Sequence, residues 1–302
     1  MAKVSPDPIL IVGSGALGCL FAARLAQAGY AVNLLGSWVE GIDALNLEGV
    51  TLLEADRRQS WPLRASHEPG DFTGAKLALV LVKAWQTSRA AAQLRECLAP
   101  DGLALTLQNG LGNRETLAAA LGEERVAYGV ITVGATLVGP GQVRWGGEGY
   151  ISLTAHEDLA QLLRQAGFQV DLAENVTGLA WSKLVINAAI NPLSALLNVP
   201  NGELLARPSA RQLCRQLAQE VAAVAAAQGI ALTHSDPAAA AEEVAQRTAG
   251  NLSSMLQDVR RGAPTEIDAI CGAVVRAARG VGLSAPVNET MWKLVSALQG
   301  AT

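Results

Sequence analysis

A glycine-rich turn close to the start of the chain most strongly constrains what the chain can fold into. Residues 9–18 read Ile-Leu-Ile-Val-Gly-Ser-Gly-Ala-Leu-Gly, an apolar run followed by Gly-x-Gly-x-x-Gly. Gly13 permits a tight turn after a strand, Gly15 leaves room for a pyrophosphate, and Gly18 lets the next helix pack close to the sheet. The helix predicted over 16–28 would direct its N-terminal amides at that anion. The pattern therefore predicts a dinucleotide site rather than an ordinary strand-to-helix turn.

Apolar runs of strand length alternate with Ala- and Leu-rich helical segments as far as about residue 172. Such alternation is typical of a doubly wound parallel sheet. The glycine-rich stretch 132–153 instead predicts antiparallel hairpin structure at the edge of the sheet. The predicted strands are 9–12, 31–35, 77–82, 103–107 and 125–131.

Strand patterns nearly disappear after residue 175, and long helical segments replace them. We therefore predict an α/β protein with an amino-terminal Rossmann-type domain over 1–174 and an all-helical substrate-binding and catalytic domain over 175–302. The predicted helices are 176–189, 209–228, 236–249 and 265–280.

Composition narrows the classes of partner. The chain of 302 residues has a net charge of -4 and a pI near 5.5, so we expect neither nucleic acid nor a membrane surface as a partner. The four cysteines have no paired spacing, and the three histidines have no metal-ligand spacing, so no metal is expected. No signal-like segment precedes the first strand, which favours a cytoplasmic protein. We expect a monomer or a homodimer.

Polar side chains stand where they can meet a ligand. Lys83 follows one predicted strand and Asn109 follows the next, and ligands of open α/β sheets bind outside the carboxyl ends of the strands. In the helical half, Lys183, Asn187 and Asn191 recur every four residues and so share one face of a helix. Each feature taken alone also fits an ordinary solvated surface.

Together these residues resemble the 2-dehydropantoate 2-reductases, also called ketopantoate reductases, over nearly the whole chain. The resemblance implies NADPH-dependent reduction of a small 2-oxo acid, 2-dehydropantoate, to (R)-pantoate, a step toward pantothenate and coenzyme A. The motifs that carry it are the glycine turn, Lys83-Ala84-Trp85-Gln86, Gln108-Asn109-Gly110, Lys183 with Asn187 and Asn191-Pro192, Pro200-Asn201-Gly202-Glu203-Leu204, 253–258 and 265–268.

The resemblance also implies roles for individual residues. Lys183 matches the catalytic lysine and Glu266 the site glutamate, which lies near both cofactor and substrate. A lysine suits the reaction, since negative charge grows on the ketone oxygen as hydride arrives and a cation stabilises and protonates that oxygen. The implied cofactor-binding residues are Gly13, Ser14, Gly15, Ala16, Leu17, Gly18, Ser37, Lys83, Asn109, Ala135 and Glu266. The implied substrate-binding residues are Asn109, Lys183, Asn187, Asn191, Asn201, Ser254 and Asp258.

The loop after the second predicted strand departs from the family pattern. It reads Gly36-Ser37-Trp38-Val39-Glu40, where many relatives carry an arginine that binds the 2'-phosphate of NADPH. An NAD enzyme would typically place an acid at the end of that strand, and Leu35-Gly36 offers none. Ser37 can donate to a phosphate, so we expect NADPH to be preferred by a smaller margin than in relatives with the arginine.

Two other functions fit the same sequence. A reductase of this architecture could act on another 2-oxo acid or a β-hydroxy acid, because a lysine with an asparagine four residues later also occurs in related hydroxyacid dehydrogenases. A non-catalytic dinucleotide-sensing protein would fit the glycine turn, although the presence of Lys183, Asn187 and Glu266 argues against it.

Overall fold

The computed structural model describes residues 7–54, 57–147 and 149–298. The chain divides into a first unit of residues 1–82, 86–108 and 113–176, and a second unit of residues 83–85, 109–112 and 177–302. The first unit combines strands and helices, whereas the second is helical. The predicted fold class is therefore confirmed.

The first unit contains two sheets and five α-helices in the described residues. Its strands are β1 (Ile9–Val12), β2 (Val32–Leu35), β3 (Val50–Glu54), β4 (Arg57–Trp61), β5 (Arg64–Ser66), β6 (Ala75–Val80), β7 (Leu98–Thr106), β8 (Val126–Ile131), β9 (Ala135–Gly139), β10 (Gln142–Trp145), β11 (Tyr150–Leu153) and β12 (Gln169–Leu172). Its helices are α1 (Ala16–Gln27), α2 (Val39–Glu48), α3 (Thr87–Cys97), α4 (Asn113–Leu121) and α5 (Glu157–Gln165).

The larger sheet has the strand order β12-β11-β8-β7-β6-β1-β2-β5. The six strands β8-β7-β6-β1-β2-β5 all pair in parallel with their neighbours in this order. β11 is antiparallel to β8, and β12 is parallel to β11. Ile9 and Ile11 of β1 belong to one buried cluster, while Leu10 and Val12 belong to another. Successive side chains of a strand point to opposite faces, so both faces of β1 are buried. This burial explains why the sequence of β1 is a continuous apolar run.

The predicted antiparallel hairpin within 132–153 forms as β9 and β10, but these two strands do not lie at the edge of the larger sheet, where only β11 of this stretch pairs antiparallel, with β8. β9 and β10 pair antiparallel, and β10 then pairs in parallel with β3, so that β4, β3, β10 and β9 make a separate sheet. Leu52 of β3 and Val143 of β10 are buried in the same cluster as α1. This shared apolar face explains why the hairpin joins β3, and only β11 continues the larger sheet.

The second unit is built from helices around one buried apolar cluster. The helix predicted over 265–280 forms from residue 267 onward, and its first turn, Asp268–Gly272, is π-helical and continues directly into α11. Within the described residues, no helix has both the length and the apolar character required to cross a membrane. The helices are α6 (Val176–Leu197), α7 (Glu203–Ala206), α8 (Pro208–Ala227), α9 (Pro237–Arg247), α10 (Ser254–Arg260), α11 (Ala273–Gly280) and α12 (Pro286–Leu298).

Candidate functional site

The glycine turn of the first unit connects β1 to α1 and depends on its outer glycines. Gly13 has a φ of 125°, a conformation that residues with a side chain rarely adopt. A Cβ atom on Gly18 would overlap the carbonyl oxygen of Gly13. These two positions therefore need glycine for the turn itself.

Gly15 is different, because a Cβ atom there would have no heavy atom within 4 Å. It is the N-cap of α1, with no side-chain cap and no acidic residue in the first helical turn. The amides at the start of a helix lack partners inside the helix and carry the positive end of its dipole. Open space in front of such amides fits a pyrophosphate held by the backbone of residues 13–18.

The end of β2 carries the second element of the candidate cofactor site. Ser37 is exposed, and its Oγ accepts a hydrogen bond of 2.8 Å from Nη2 of Arg89 in the first turn of α3. The ring of Trp38 packs against Gly41 of α2. Ala135, the other residue for which a cofactor contact is implied, opens β9, which packs against α1. No motif in the sequence points to Arg89 at this position.

Three of the predicted site residues form one hydrogen-bonded row in the second unit. Nζ of Lys183, which is half-buried on α6, donates to Oδ1 of Asn109 at 2.7 Å. Nδ2 of Asn109 donates to Oε2 of Glu266 at 3.2 Å. Since the amide nitrogen faces Glu266, the amide oxygen must face the lysine, and the orientation of Asn109 is fixed by both neighbours.

A second lysine approaches the row from the carboxylate side. Nζ of Lys83 lies 2.6 Å from Oδ2 of Asp258 and 3.8 Å from Oε2 of Glu266. Both carboxyl groups are almost fully buried, with exposures of 2% for Asp258 and 5% for Glu266. Glu266 also accepts from the backbone amide of Ala84 at 3.1 Å, and Asp258 accepts from Arg261 at 2.8 Å. Each buried charge therefore has partners, as burial requires.

Burial sets the acidity of the candidate proton donor. Removal from water lowers the pKa of the Lys183 ammonium from 10.5 to about 8, and the negative charge of Glu266 opposes part of that shift. An acid with a pKa near the working pH can both hold and release its proton. Lys183 is thus suited to general acid chemistry at neutral pH.

The loop that carries Asn109 rests on the π-helical turn next to Glu266. The amide of Leu111 donates to the carbonyl oxygen of Ala269 at 3.0 Å. Gly110 has a φ of 81°, and a Cβ atom there would overlap the same carbonyl. π-helical turns are frequent at functional sites. Here the turn holds Asn109 and Glu266 in register with each other.

The remaining predicted substrate residues are not drawn into this hydrogen-bonded row. Asn187 and Asn191 follow Lys183 on α6, and neither side chain has a hydrogen-bond partner within the described part of the chain. Asn201 is buried, and its Nδ2 donates to Thr248, but its Oδ1 has no partner among the described residues. Ser254 is exposed at the start of α10. These groups offer hydrogen bonds to a polar ligand.

Comparison with known proteins shows similarity along nearly the whole chain. The family model described as ketopantoate reductase PanE/ApbA matches residues 9–158, and the model of the corresponding C-terminal region matches residues 175–299. The 2-dehydropantoate 2-reductase of Archaeoglobus fulgidus is 36% identical over 303 aligned residues, which cover 96% of this chain and 97% of that protein.

Solved structures show the same similarity. A PanE/ApbA family ketopantoate reductase from Ralstonia eutropha JMP134 matches with a TM-score of 0.91 and 34% identity, covering 97% of this chain and 98% of that chain. A ternary structure of D-mandelate dehydrogenase with NADH and anilino(oxo)acetate matches with a TM-score of 0.91 and 26% identity over the same shares of the two chains.

Proposed function

This chain belongs to the ketopantoate reductase PanE/ApbA family of oxidoreductases, and we propose that it reduces 2-dehydropantoate to (R)-pantoate with NADPH. The product would serve pantothenate and coenzyme A synthesis. The observation that carries the proposal is the row of Lys183, Asn109 and Glu266, in which a half-buried ammonium is aligned by an amide and a buried carboxylate.

The glycine turn and Ser37 would hold NADPH, which would supply the hydride for the ketone carbon. Lys183 hydrogen-bonds the ketone oxygen, stabilises the negative charge that grows there, and donates the proton that completes the hydroxyl group. The lysine ends the step as a neutral amine and regains a proton from water. The reduction thus consumes one hydride and one proton for each ketone.

Asn109 and Glu266 prepare Lys183 for this role. The Oδ1 atom of Asn109 accepts one ammonium hydrogen at 2.7 Å and so restricts the direction of the remaining two. The charge of Glu266 favours the protonated lysine and limits how far burial lowers its pKa. Both residues act through Lys183 in this scheme.

The first unit fits the phosphates of the cofactor. A Cβ atom on Gly15 would meet no heavy atom within 4 Å, and α1 starts there without a side-chain cap, so a pyrophosphate could accept hydrogen bonds from the helix amides. Ser37 stands after β2, the position at which dinucleotide-binding folds bind the adenine ribose. These groups support binding of a nicotinamide dinucleotide.

Activity should decline at alkaline pH. Lys183 must carry its proton to donate it, and its pKa is lowered to about 8. We therefore expect kcat/KM for ketone reduction to be level below pH 8 and to fall about tenfold for each further pH unit above it. Initial rates between pH 6 and 10 at limiting 2-dehydropantoate test this. A level profile to pH 10 would show that an unshifted group, or no acid, controls the step.

Substrate choice should depend on the hydroxyl group of 2-dehydropantoate. Within the described residues, some or all polar atoms of three side-chain amides have no hydrogen-bond partner, namely those of Asn187, Asn191 and Asn201. Together they offer more hydrogen bonds than a 2-oxo acid without a hydroxyl group can use. A lost hydrogen bond to a buried polar group costs about 1–3 kcal/mol. We expect kcat/KM for 2-oxoisovalerate, which lacks the hydroxymethyl group, to be at least roughly tenfold lower.

Competition assays with 2-dehydropantoate, 2-oxoisovalerate and pyruvate measure this preference directly. If Asn201 hydrogen-bonds the hydroxyl group, Asn201→Ala should lower kcat/KM for 2-dehydropantoate and leave kcat/KM for 2-oxoisovalerate unchanged. The ratio of the two kcat/KM values would then be smaller than in the wild-type protein. Equal kcat/KM values of the wild-type protein for these substrates would favour a second candidate function, the reduction of other 2-oxo acids. The similarity to D-mandelate dehydrogenase is the observation that supports this candidate.

A further inference from the structure

We propose that Arg89 recognises the 2'-phosphate of NADPH, together with Ser37. This inference rests on the proposed function, because it assigns a residue that would distinguish NADPH from NADH. The loop after β2 lacks a basic residue, so the chain needs a cation from another element if it distinguishes NADPH from NADH. The structure places one there, since Nη2 of Arg89 lies 2.8 Å from Oγ of Ser37.

Arg89 is placed to make a further ionic contact. Within the described ranges, no carboxylate lies within ion-pair distance of this guanidinium, and its hydrogen-bond acceptor is the uncharged hydroxyl of Ser37. Arg89 is exposed. An exposed guanidinium with free donors is suited to a phosphate, which it can bind through two parallel hydrogen bonds.

The position of Arg89 on its helix also favours an anion nearby. It lies in the first turn of α3, a turn that contains no acidic residue. A cation is disfavoured at this end of a helix, because the helix dipole is positive there. Bound phosphate would reverse that cost, since it interacts favourably with both the dipole and the guanidinium.

Ser37 contributes the second half of the site. Its oxygen accepts from Arg89, so its own hydroxyl hydrogen remains available to donate to a phosphate oxygen. Ser14 lies beside the same strand end, because a Cβ atom on Gly36 would come within 2.7 Å of its Oγ. The hydroxyls and the guanidinium thus cluster where the 2' position of the ribose is bound in dinucleotide-binding folds.

The test uses two fragments of the cofactor, so that no catalysis is needed. Calorimetric titration with 2',5'-ADP, which carries the 2'-phosphate, is compared with titration with 5'-AMP, which lacks it. We expect Arg89→Ala to weaken 2',5'-ADP binding roughly 10- to 100-fold, as the loss of hydrogen bonds to a charged group predicts, and to leave 5'-AMP binding within about twofold.

Arg95→Ala is the matched control, because it removes the same charge from an exposed position on the same helix. It should leave both affinities unchanged. Arg89→Lys should retain part of the preference, since it keeps the charge and loses the paired donors. In steady-state assays, Arg89→Ala should raise KM for NADPH and leave kcat and the KM for NADH unchanged.

The outcomes separate this inference from the proposed function. A wild-type protein that binds 2',5'-ADP no more tightly than 5'-AMP overturns both the NADPH preference and the role of Arg89. A wild-type preference that persists in Arg89→Ala overturns the role of Arg89 alone. An equal loss in Arg95→Ala would reduce the effect to general surface charge and also overturn the assignment.

Discussion

Lys183→Ala should lower kcat for ketone reduction by roughly 10²- to 10⁴-fold, the usual contribution of a positioned general acid. The variant loses both the cation that stabilises the developing alkoxide and the proton that the alkoxide takes. It also leaves Oδ1 of Asn109 without the hydrogen bond that Lys183 donates at 2.7 Å. Single-turnover measurement of NADPH oxidation with saturating 2-dehydropantoate isolates the chemical step from product release.

Binding of NADPH should change little in this variant, because the residues assigned to the phosphates belong to the glycine turn and to the strand end at Ser37. A fluorescence titration measures this separately from turnover. Lys293→Ala, which removes an exposed lysine from α12, controls for the change in net charge. Near-normal kcat in Lys183→Ala, or loss of activity through failed NADPH binding, would remove Lys183 from the proposed role and make Lys83 the next cation to test.

Local sequence patterns predicted the parts of this protein that depend on local physics. The continuous apolar run of β1 is the pattern of a strand that is buried on both faces. The spacing of Lys183, Asn187 and Asn191 predicted one helical face, and α6 carries all three. Resemblance to a family brought Asn109 and Glu266 to the same site, and the structure joins them to Lys183 by hydrogen bonds.

Features that depend on packing between distant segments were not predictable in this way. The pairing of β10 with β3 joins segments far apart in sequence, and their short alternating patterns do not specify a partner. Arg89 and Ser37 are 52 residues apart in the chain and meet only in the folded first unit, and the sequence around one of them does not predict a contact with the other. The available signal was a cation in the first turn of a helix, where the dipole disfavours it.

Substitutions at two glycines of the turn should affect cofactor binding and folding differently. A side chain on Gly15 would enter space that is free of heavy atoms within 4 Å, and its φ of −81° and ψ of −172° suit any residue. We expect Gly15→Val to fold but to weaken NADPH binding by at least roughly 100-fold, since the side chain occupies the space in front of the α1 amides. Replacing the N-cap costs up to about 1 kcal/mol of stability.

Gly18→Ala is the matched comparison, because its Cβ atom would overlap the carbonyl oxygen of Gly13 and force α1 away from β1. That variant should lose several times more stability than Gly15→Val, measured as the free energy of unfolding in urea. NADPH titration and urea unfolding of both variants therefore distinguish a binding defect from a folding defect. Normal NADPH affinity in Gly15→Val would mean that the pyrophosphate is not bound at the start of α1, and the assignment of residues 13–18 to the cofactor would fail.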